Sequence, residues 1–333
     1  MKKELHLASR RKFVSGAGFA SAGIFMGASG AGSLCCAGNP SPGETGSISY
    51  RKDLPLADAY DVVVCGGGPS GCAAALAARR EGLKTLLVEG MGQLGGMAVT
   101  GLVTHWLGGR TQEGEWVVGG IFKSLAEEAA QKGYALIPSL NPKEKYHPFG
   151  WFNWFIHGIP LDPCKVDLFL DEKMEEAGVD VLLQTQFVDV IADGNRLSHL
   201  VIFNRSDMMA VPVKAVIDAT GNADVAFRSK CDTVRGRKRD GGTAPPSLIF
   251  HVYNVDQEAL MKGVLEIGDP KLRPLIRSLR EKGIWDSPTD IFVCTQTPNN
   301  GEFFINNNAI FGGVDGTDGK SVAEALVTGR KQI

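Results

Sequence analysis

Two apolar runs flank an alanine-rich segment between residues 60 and 88. The first run, 60–65 (YDVVVC), has the length and composition of a buried strand, and the second, 84–88 (KTLLV), predicts another strand. The segment between them, 69–81 (PSGCAAALAARRE), predicts a helix, because alanine favours helices and proline is tolerated in the first turn. Gly82 follows it as a stop signal. This order predicts the beginning of a βαβ unit.

The same patterns continue to residue 219. Helical periodicity predicts helices at 121–132 and 163–177, and Asp162-Pro163 suits the N-cap and first turn of the second one. Short apolar and alternating segments then predict a series of strands at 180–184, 186–192, 197–204, 208–213 and 214–219.

The pattern changes after residue 240. It predicts a strand at 247–254, helices near 256–266 and 271–282, strands near 290–294 and 302–306, and a helix at 319–333. We therefore expect an α/β fold, in which a Rossmann-like three-layer domain with a β-meander is followed by an α+β region.

Composition narrows the classes of function. The chain has 333 residues, a hydrophobic fraction of 44% and a formal net charge of −2, which indicates a globular body. The charges are nearly balanced, so the composition does not favour binding to nucleic acid or to an anionic membrane surface. The 42 glycines are well above the usual share of about 7%. Those at 66–71, 90–101 and 108–120 indicate tight turns or close approach of the backbone to a ligand.

The seven cysteines give no indication of a metal site. They form no C-x-x-C pair, and their spacing suits neither zinc nor an iron–sulfur cluster. Cys65 and Cys72 flank the glycine-rich stretch, where we expect them to be small packing residues.

The N-terminus has the features of an export signal. Basic residues precede a weakly apolar stretch rich in glycine, which makes a poor membrane-spanning helix. Ser9-Arg10-Arg11-Lys12-Phe13-Val14 resembles the bacterial twin-arginine export motif; the alternative is a basic tail with a chance Arg-Arg pair. We expect a signal at 1–37, a linker at 38–59, and a periplasmic or cell-envelope location. The twin-arginine route exports folded proteins, which favours a cofactor loaded before export.

The candidate chemistry begins with Gly66-x-Gly68-x-x-Gly71, which follows the first strand and opens the first helix. In this setting the first glycine allows a tight turn, the second admits a pyrophosphate, and the third lets helix and strand pack closely. Pro69 and Ser70 complete the loop, whose free N–H groups and helix dipole suit phosphates.

Glu89 ends the second strand at the spacing of about 20 residues that the dinucleotide fingerprint requires. A carboxylate there accepts hydrogen bonds from ribose hydroxyls and repels a 2′-phosphate, which disfavours NADP. FAD and NAD share this element, so the residues of the loop leave both open.

The stretch DVVVCGGGPSGCAAALAARREGLKTLLVEGMGQLGGMA resembles the start of FAD-dependent oxidoreductases with the glutathione-reductase-like fold. In that group a Gly-Gly loop wraps the ribityl and diphosphate of the flavin, and Gly95, Gly96 and Met97 match it. The resemblance therefore implies FAD as the cofactor.

Two further segments carry the resemblance. VIDATGNAD resembles the family's A-T-G segment, which implies that Ala219, Thr220 and Gly221 lie near the flavin and that Asp224 begins a helix. GVDVLLQTQFVDV resembles the segment whose main chain meets the adenine, which implies a contact at Val188 or its neighbour Phe187.

The resemblance also implies a domain plan, with an FAD-binding domain at 60–240 and an incomplete substrate-side region at 241–333. It extends to bacterial, often exported proteins grouped with the flavin subunit of heterodisulfide reductase, although this chain has no cysteine quartet for an iron–sulfur cluster. The family's late Gly-Asp element has no match. We therefore expect a C-terminally truncated chain, or one that another polypeptide completes.

For this family we expect hydride transfer between a small organic substrate and flavin N5, with an electron acceptor that the motifs do not specify. Acid–base candidates are His105, which follows the Gly-Gly loop, and then His147 and His157. Core packing is the alternative for these histidines and for the nearby tryptophans, Trp106, Trp151 and Trp154. The basic stretch 235–240 (RGRKRD) either attracts an anionic substrate or is a solvated loop.

Two other functions stay open. One is a truncated or non-catalytic flavoprotein remnant. The other is an NAD-dependent dehydrogenase, which the Gly95-Gly96 loop and the A-T-G segment disfavour.

Overall fold

The computed structural model describes residues 48–111, 113–138 and 158–333. The chain divides into two units, Met1–Lys52 and Asp53–Ile333, and every helix and strand named below belongs to the second. Several predicted features lie outside the described residues: the export signal at 1–37, His147, Trp151, Trp154 and His157.

The strands form where apolar and β-branched residues cluster, as the pattern predicts. Val63 and Val64 of the first strand and Leu87 of the second are fully buried. Within the described ranges the strands are β1 (Tyr60–Cys65), β2 (Thr85–Val88), β3 (His105–Trp106), β4 (Ile159–Pro160), β5 (Asp180–Leu182), β6 (Gln186–Asp193), β7 (Arg196–Asn204), β8 (Asp207–Asp218), β9 (Phe250–Val252), β10 (Cys294–Gln296) and β11 (Phe303–Ile305).

Capping residues define the helix predicted at 163–177. The Asp162 side chain accepts hydrogen bonds from the N–H groups of Cys164 and Lys165, and Gly178, at φ 69°, ends the helix. Both predicted ends are confirmed. The helices of the described residues are α1 (Pro69–Arg80), α2 (Gly120–Gln131), α3 (Pro163–Ala177), α4 (Asp224–Arg228), α5 (Gln257–Ile267), α6 (Arg273–Glu281) and α7 (Gly319–Gln332).

Six of the described strands form one sheet in the order β5-β2-β1-β8-β7-β6. The first four run parallel, with Val63 paired to Leu86 on one side and to Val216 on the other. Strands β6, β7 and β8 pair antiparallel and form the predicted meander. The carboxyl ends of β1, β2 and β8 therefore meet at one edge, which is where open α/β sheets bind ligands.

Strand β8 corrects a prediction. The sequence pattern predicts two strands, 208–213 and 214–219, but the structure has one continuous strand. Its first half pairs with β7 as far as Pro212, opposite His199, and its second half pairs with β1 from Val213, opposite Tyr60. The change of partner lies next to Pro212, which has no N–H to donate to a ladder. Because the two halves of the strand pair with different neighbours, their sequence patterns differ.

Alternate residues of β1 belong to two different cores. Val62 and Val64 pack with α1, α2 and α3 on one face of the sheet. Val63 and Cys65 pack with meander residues such as Leu200 on the other face. The fold is therefore an α/β arrangement of helices, parallel sheet and meander, which confirms the predicted Rossmann-like layers.

A second sheet, three-stranded within the described residues, has the order β10-β11-β9 and packs against Val264 of α5. The predicted strand near 290–294 is displaced toward the C-terminus. The N–H of Phe292 donates to the carbonyl of Lys271 at 2.9 Å, and the ladder with β11 begins only at Cys294. Residues before Cys294 thus bond to a loop and not to a strand.

Candidate functional site

The turn from β1 into the first residues of α1 is packed so tightly that two of its glycines, Gly66 and Gly71, admit no side chain. Gly66 has φ +104°, donates its N–H to Val88 at 2.8 Å, and a Cβ there would lie 2.3 Å from the Ala219 carbonyl oxygen. A Cβ at Gly71 would lie 1.8 Å from the carbonyl oxygen of Gly66. These are the tight turn and the close helix–strand contact for which the fingerprint needs glycine.

Gly68 differs, because nothing described in the protein requires glycine there. Its backbone is extended (φ −67°, ψ 179°), and a Cβ would meet no atom within 4 Å. It directly precedes α1, for which the described part of the chain offers no side-chain cap, and Pro69 and the exposed Ser70 open the helix. The N–H groups and dipole at such a helix end favour phosphate. The space beside Gly68 therefore fits the pyrophosphate of a dinucleotide.

Glu89 joins the end of β2 to the glycine loop. One carboxylate oxygen accepts the N–H of Gly67 at 2.6 Å, and the other accepts the N–H of Met91 at 2.7 Å. Each carboxylate oxygen accepts more than one hydrogen bond, so capacity remains for ribose hydroxyls. The structure places the predicted ribose ligand beside the predicted pyrophosphate loop.

The segment from Leu94 to Met97 docks on the same loop. Gly95, at φ +97°, donates its N–H to the carbonyl of Gly67 at 2.8 Å. Gly96 has φ +47°, and a Cβ there would lie 2.8 Å from the Cα of Gly68. Met97 is exposed. Gly95 and Gly96, the pair that carries the family resemblance, thus allow the segment from Leu94 to Met97 to approach the glycine loop closely. A loop that wraps a cofactor needs this close approach.

The end of β8 supplies the third part of the site. Ala219 donates its N–H to the carbonyl of Cys65 at 2.8 Å, which keeps the A-T-G turn beside β1. Gly221 follows at φ +79°, and Asp224 begins α4 as predicted. The N–H of Asp224 donates to the Thr220 hydroxyl at 3.0 Å.

Asp218 organises this turn, and the sequence interpretation did not select it. Its carboxylate accepts the N–H and hydroxyl of Thr220, at 3.1 and 2.7 Å, and the N–H of Ala226 at 2.9 Å. Desolvation raises the pKa of Asp218, but these hydrogen bonds outweigh it and hold the pKa below the ordinary value. The signal in the sequence was an acidic residue directly before A-T-G. Because the Thr220 N–H points at Asp218, Thr220 shapes the turn from within the protein.

The predicted adenine contact lies at an irregularity in β6. Phe187 pairs with Ile202 and Asp189 with Val201, so Val188 occupies a shift of register between them. Bulges of this kind redirect the backbone. The contact with adenine remains a prediction.

His105 is buried in β3 and is 4% exposed. Its ring makes an edge contact with Phe304 of β11, with centroids 6.3 Å apart, and Trp106 packs against Phe122 at 5.8 Å. The structure thus places His105 in the segment that follows the Gly95-Gly96 loop, with its ring against the second sheet.

A groove of about 1040 Å³ adjoins the A-T-G turn. Apolar side chains of α7 and the preceding loop line much of it, and Arg235 is also a lining residue, paired with Asp315 at 2.8 Å. The other arginines of the basic stretch, Arg237 and Arg239, pair with Asp240. Of these three arginines, Arg235 is the one that lines the groove.

Two kinds of feature are absent from the described ranges. No group of three or more His, Cys, Asp or Glu side chains there is placed to hold a metal ion. Nor does any helix in the same ranges have the length and apolar character needed to cross a membrane.

The model of a family described as FAD dependent oxidoreductase matches residues 61–333. Digeranylgeranylglycerophospholipid reductase of Picrophilus torridus is 27% identical over 166 residues, which are 49% of this chain and 39% of the relative. Dihydrolipoyl dehydrogenase of Trypanosoma brucei brucei is 53% identical over 47 residues, 14% of this chain and 10% of the relative. The chain therefore spans well under two thirds of both curated relatives.

Among solved structures, the chain is similar to a geranylgeranyl bacteriochlorophyll reductase-like protein of Thermoplasma acidophilum. The match covers 82% of this chain and 61% of that protein's chain. The TM-score is 0.44 and the sequence identity is 19%.

Proposed function

We propose that this chain, which belongs to the FAD dependent oxidoreductase family and has FAD as its cofactor, transfers a hydride between a small organic substrate and flavin N5. The flavin supplies the two-electron chemistry, and the protein supplies binding, orientation and a proton. The observation that carries the proposal is the open side of Gly68, between the start of α1 and the docked Gly96, where a Cβ would meet no atom of the described residues within 4 Å.

In this proposal several segments of the chain hold the cofactor. The loop at Gly68 and the start of α1 bind the pyrophosphate, and Glu89 binds the ribose. Gly95 and Gly96 close over the ribityl side. The A-T-G turn, which Asp218 holds in shape, lies opposite. Val188, at the irregularity of β6, is proposed to face the adenine.

His105 is proposed as the residue that gives or takes the proton that accompanies hydride transfer. Support comes from its burial and its contact with Phe304, because a histidine excluded from water is protected from exchange with solvent. The groove beside Gly221 is the proposed entry for the substrate, since it adjoins a turn assigned to the flavin. Arg235, which lines the groove, would favour an anionic group on the substrate. Its guanidinium also pairs with Asp315.

We propose a glutathione-reductase-type arrangement for the FAD-binding domain. It is supported by the change of strand β8 from the meander to the parallel sheet, which brings the A-T-G turn beside β1. The proposed grouping with the heterodisulfide reductase flavin subunit would be limited to the flavin domain, because the cysteine spacing suits no cluster.

We propose further that the protein is exported after folding. Support comes from Arg10-Arg11 and the weakly apolar stretch that follows, and from the need to load FAD before secretion. The destination would be the periplasm or the cell envelope.

An anaerobic absorbance screen tests the proposed reaction. Purified FAD-loaded protein is mixed with candidate organic reductants, and bleaching of the flavin band identifies a substrate. Deuterium at the reacting carbon should then slow the bleaching, because a C–H bond breaks in that step. A substrate whose deuterated form bleaches the flavin at the same rate would contradict rate-limiting hydride transfer. A protein that neither carries nor takes up FAD would favour the flavoprotein-remnant alternative.

A further inference from the structure

A chain of hydrogen-bonded and ion-paired polar groups connects the second sheet to α3. Lys165 pairs with Asp162 at 3.0 Å, and the amide nitrogen of Asn299 donates to Asp162 at 2.9 Å and to Glu302 at 2.7 Å. Glu302 in turn contacts Nδ1 of His251 at 2.9 Å. The chain of contacts therefore runs from Lys165 to His251 through two carboxylates, with the amide of Asn299 between them.

The inner end of this chain is closed to water. The His251 side chain is 5% exposed and that of Glu302 is 8% exposed. Desolvation raises the pKa of Glu302, but hydrogen bonds from Asn299, His251 and Thr297 outweigh it, and the pKa lies below its ordinary value. Glu302 is therefore a buried carboxylate at neutral pH, and a buried charge requires a partner.

His251 faces an acceptor at each ring nitrogen. Nδ1 meets the carboxylate of Glu302, and Nε2 lies 3.4 Å from the carbonyl oxygen of Leu102. Neutral imidazole has one N–H, so it can donate to only one of these oxygens, whereas the imidazolium donates to both. The geometry therefore favours a positively charged ring.

The second acceptor lies in a strained segment beside the FAD site. Leu102 has φ +56°, which is uncommon for a residue with a side chain. It lies between the Gly95-Gly96 loop and His105, and the N–H of Val103 donates back to Met97 at 2.9 Å. A group that holds the Leu102 carbonyl therefore holds the segment that links the flavin loop to His105.

We propose that His251, as an imidazolium held by Glu302, is a positioning residue of the FAD site that fixes the Leu102 turn and adds a positive charge on the substrate side. The effect on the flavin rests on the proposed function; the charge on His251 does not. A positive charge favours a cofactor that gains electrons, so it should raise the reduction potential of the bound FAD.

The charge is tested first, by NMR of the unaltered protein carrying isotope-labelled histidine. At neutral pH we expect one ring with protons on both nitrogens, and its signals should be absent in His251→Gln. In Glu302→Gln the doubly protonated signal should weaken or vanish. A neutral His251 ring in the folded, unaltered protein would overturn the proposal, and this experiment does not require bound FAD.

The effect on the cofactor is tested by redox titration of bound FAD. His251→Gln should shift the midpoint potential to more negative values, whereas His199→Gln, a matched change on β7, should leave it unchanged. An unchanged potential in a folded, FAD-loaded His251→Gln protein would overturn the positioning role. If the unaltered protein bound no FAD, the proposed function would fail, while the NMR result would still decide the charge on His251.

Discussion

The carboxylate of Glu89 accepts the backbone N–H of Gly67 at 2.6 Å, which ties the end of β2 to the glycine loop. The side chain that sequence reasoning assigned to the ribose is thus also part of the structure of the loop. A change at this position should therefore affect the two ends of one site together.

Glu89→Ala should weaken FAD binding about 10- to 100-fold. The variant loses the acceptor for Gly67 and Met91 as well as the proposed ribose ligand. One hydrogen bond to a charged group contributes ~1.5–3 kcal/mol, and each 1.4 kcal/mol corresponds to about tenfold in affinity. Titration of FAD-free protein, followed by flavin fluorescence, gives the dissociation constant. Glu81→Ala, at the exposed end of α1, is the control, and equal affinities for the two variants would refute the assignment.

Asp218→Ala should destabilise the fold by about 1–3 kcal/mol, because it leaves the N–H groups of Thr220 and Ala226 without their acceptor. The measurement is urea unfolding of the FAD-free proteins.

The same carboxyl predicts a pH dependence. Its folded pKa lies below the ordinary 3.8, so its stabilising contribution is complete above that value and is lost as pH falls through the lowered pKa. Asp218→Ala should lose less stability than the unaltered protein over this acidic range. Acid unfolding of Asp218→Ala and of the unaltered protein measures this difference. If the stabilities of the two proteins fall in parallel with pH, Asp218 makes no such contribution.

The structure shows which features could be predicted from the sequence. The boundaries of β1, α1 and α3 depend on local signals, namely an apolar run, an alanine-rich segment and the cap at Asp162, and all three were predicted to within a residue. The glycine loop was predicted because its spacing is also local.

What the sequence did not show depends on contacts between distant segments. The continuity of β8 depends on pairing with two different strands. The role of Asp218 depends on a turn that folds back by eight residues. The His251–Glu302 contact joins residues 51 positions apart, and no short motif marks it.

His105→Gln should retain FAD but slow its reduction by substrate about 10²- to 10⁴-fold, the usual contribution of a general acid or base. Stopped-flow absorbance under anaerobic conditions measures this rate. His199→Gln on β7 serves as the control. A rate that matches the unaltered enzyme would remove His105 from the proton-transfer step and leave it a packing residue against Phe304.

Replacing Arg10 and Arg11 together with lysine should retain the protein in the cytoplasm, because the twin-arginine route depends on the arginine pair. Cell fractionation of a tagged protein measures the location. Replacing Lys2 and Lys3 with arginine keeps the basic character and should leave export unchanged. Equal export of the two variants would contradict the proposed route.

The central claim is that the space beside Gly68 holds the pyrophosphate of FAD, and the FAD affinity of Gly68→Val tests it most directly. A Cβ at Gly68 meets no atom of the described residues within 4 Å, whereas one at Gly71 lies 1.8 Å from the Gly66 carbonyl oxygen. Gly68→Val should therefore keep its stability without FAD to within about 1 kcal/mol, while Gly71→Val should lose stability. Fluorescence titration should show that folded Gly68→Val no longer binds FAD; binding with the affinity of the unaltered protein would contradict the account.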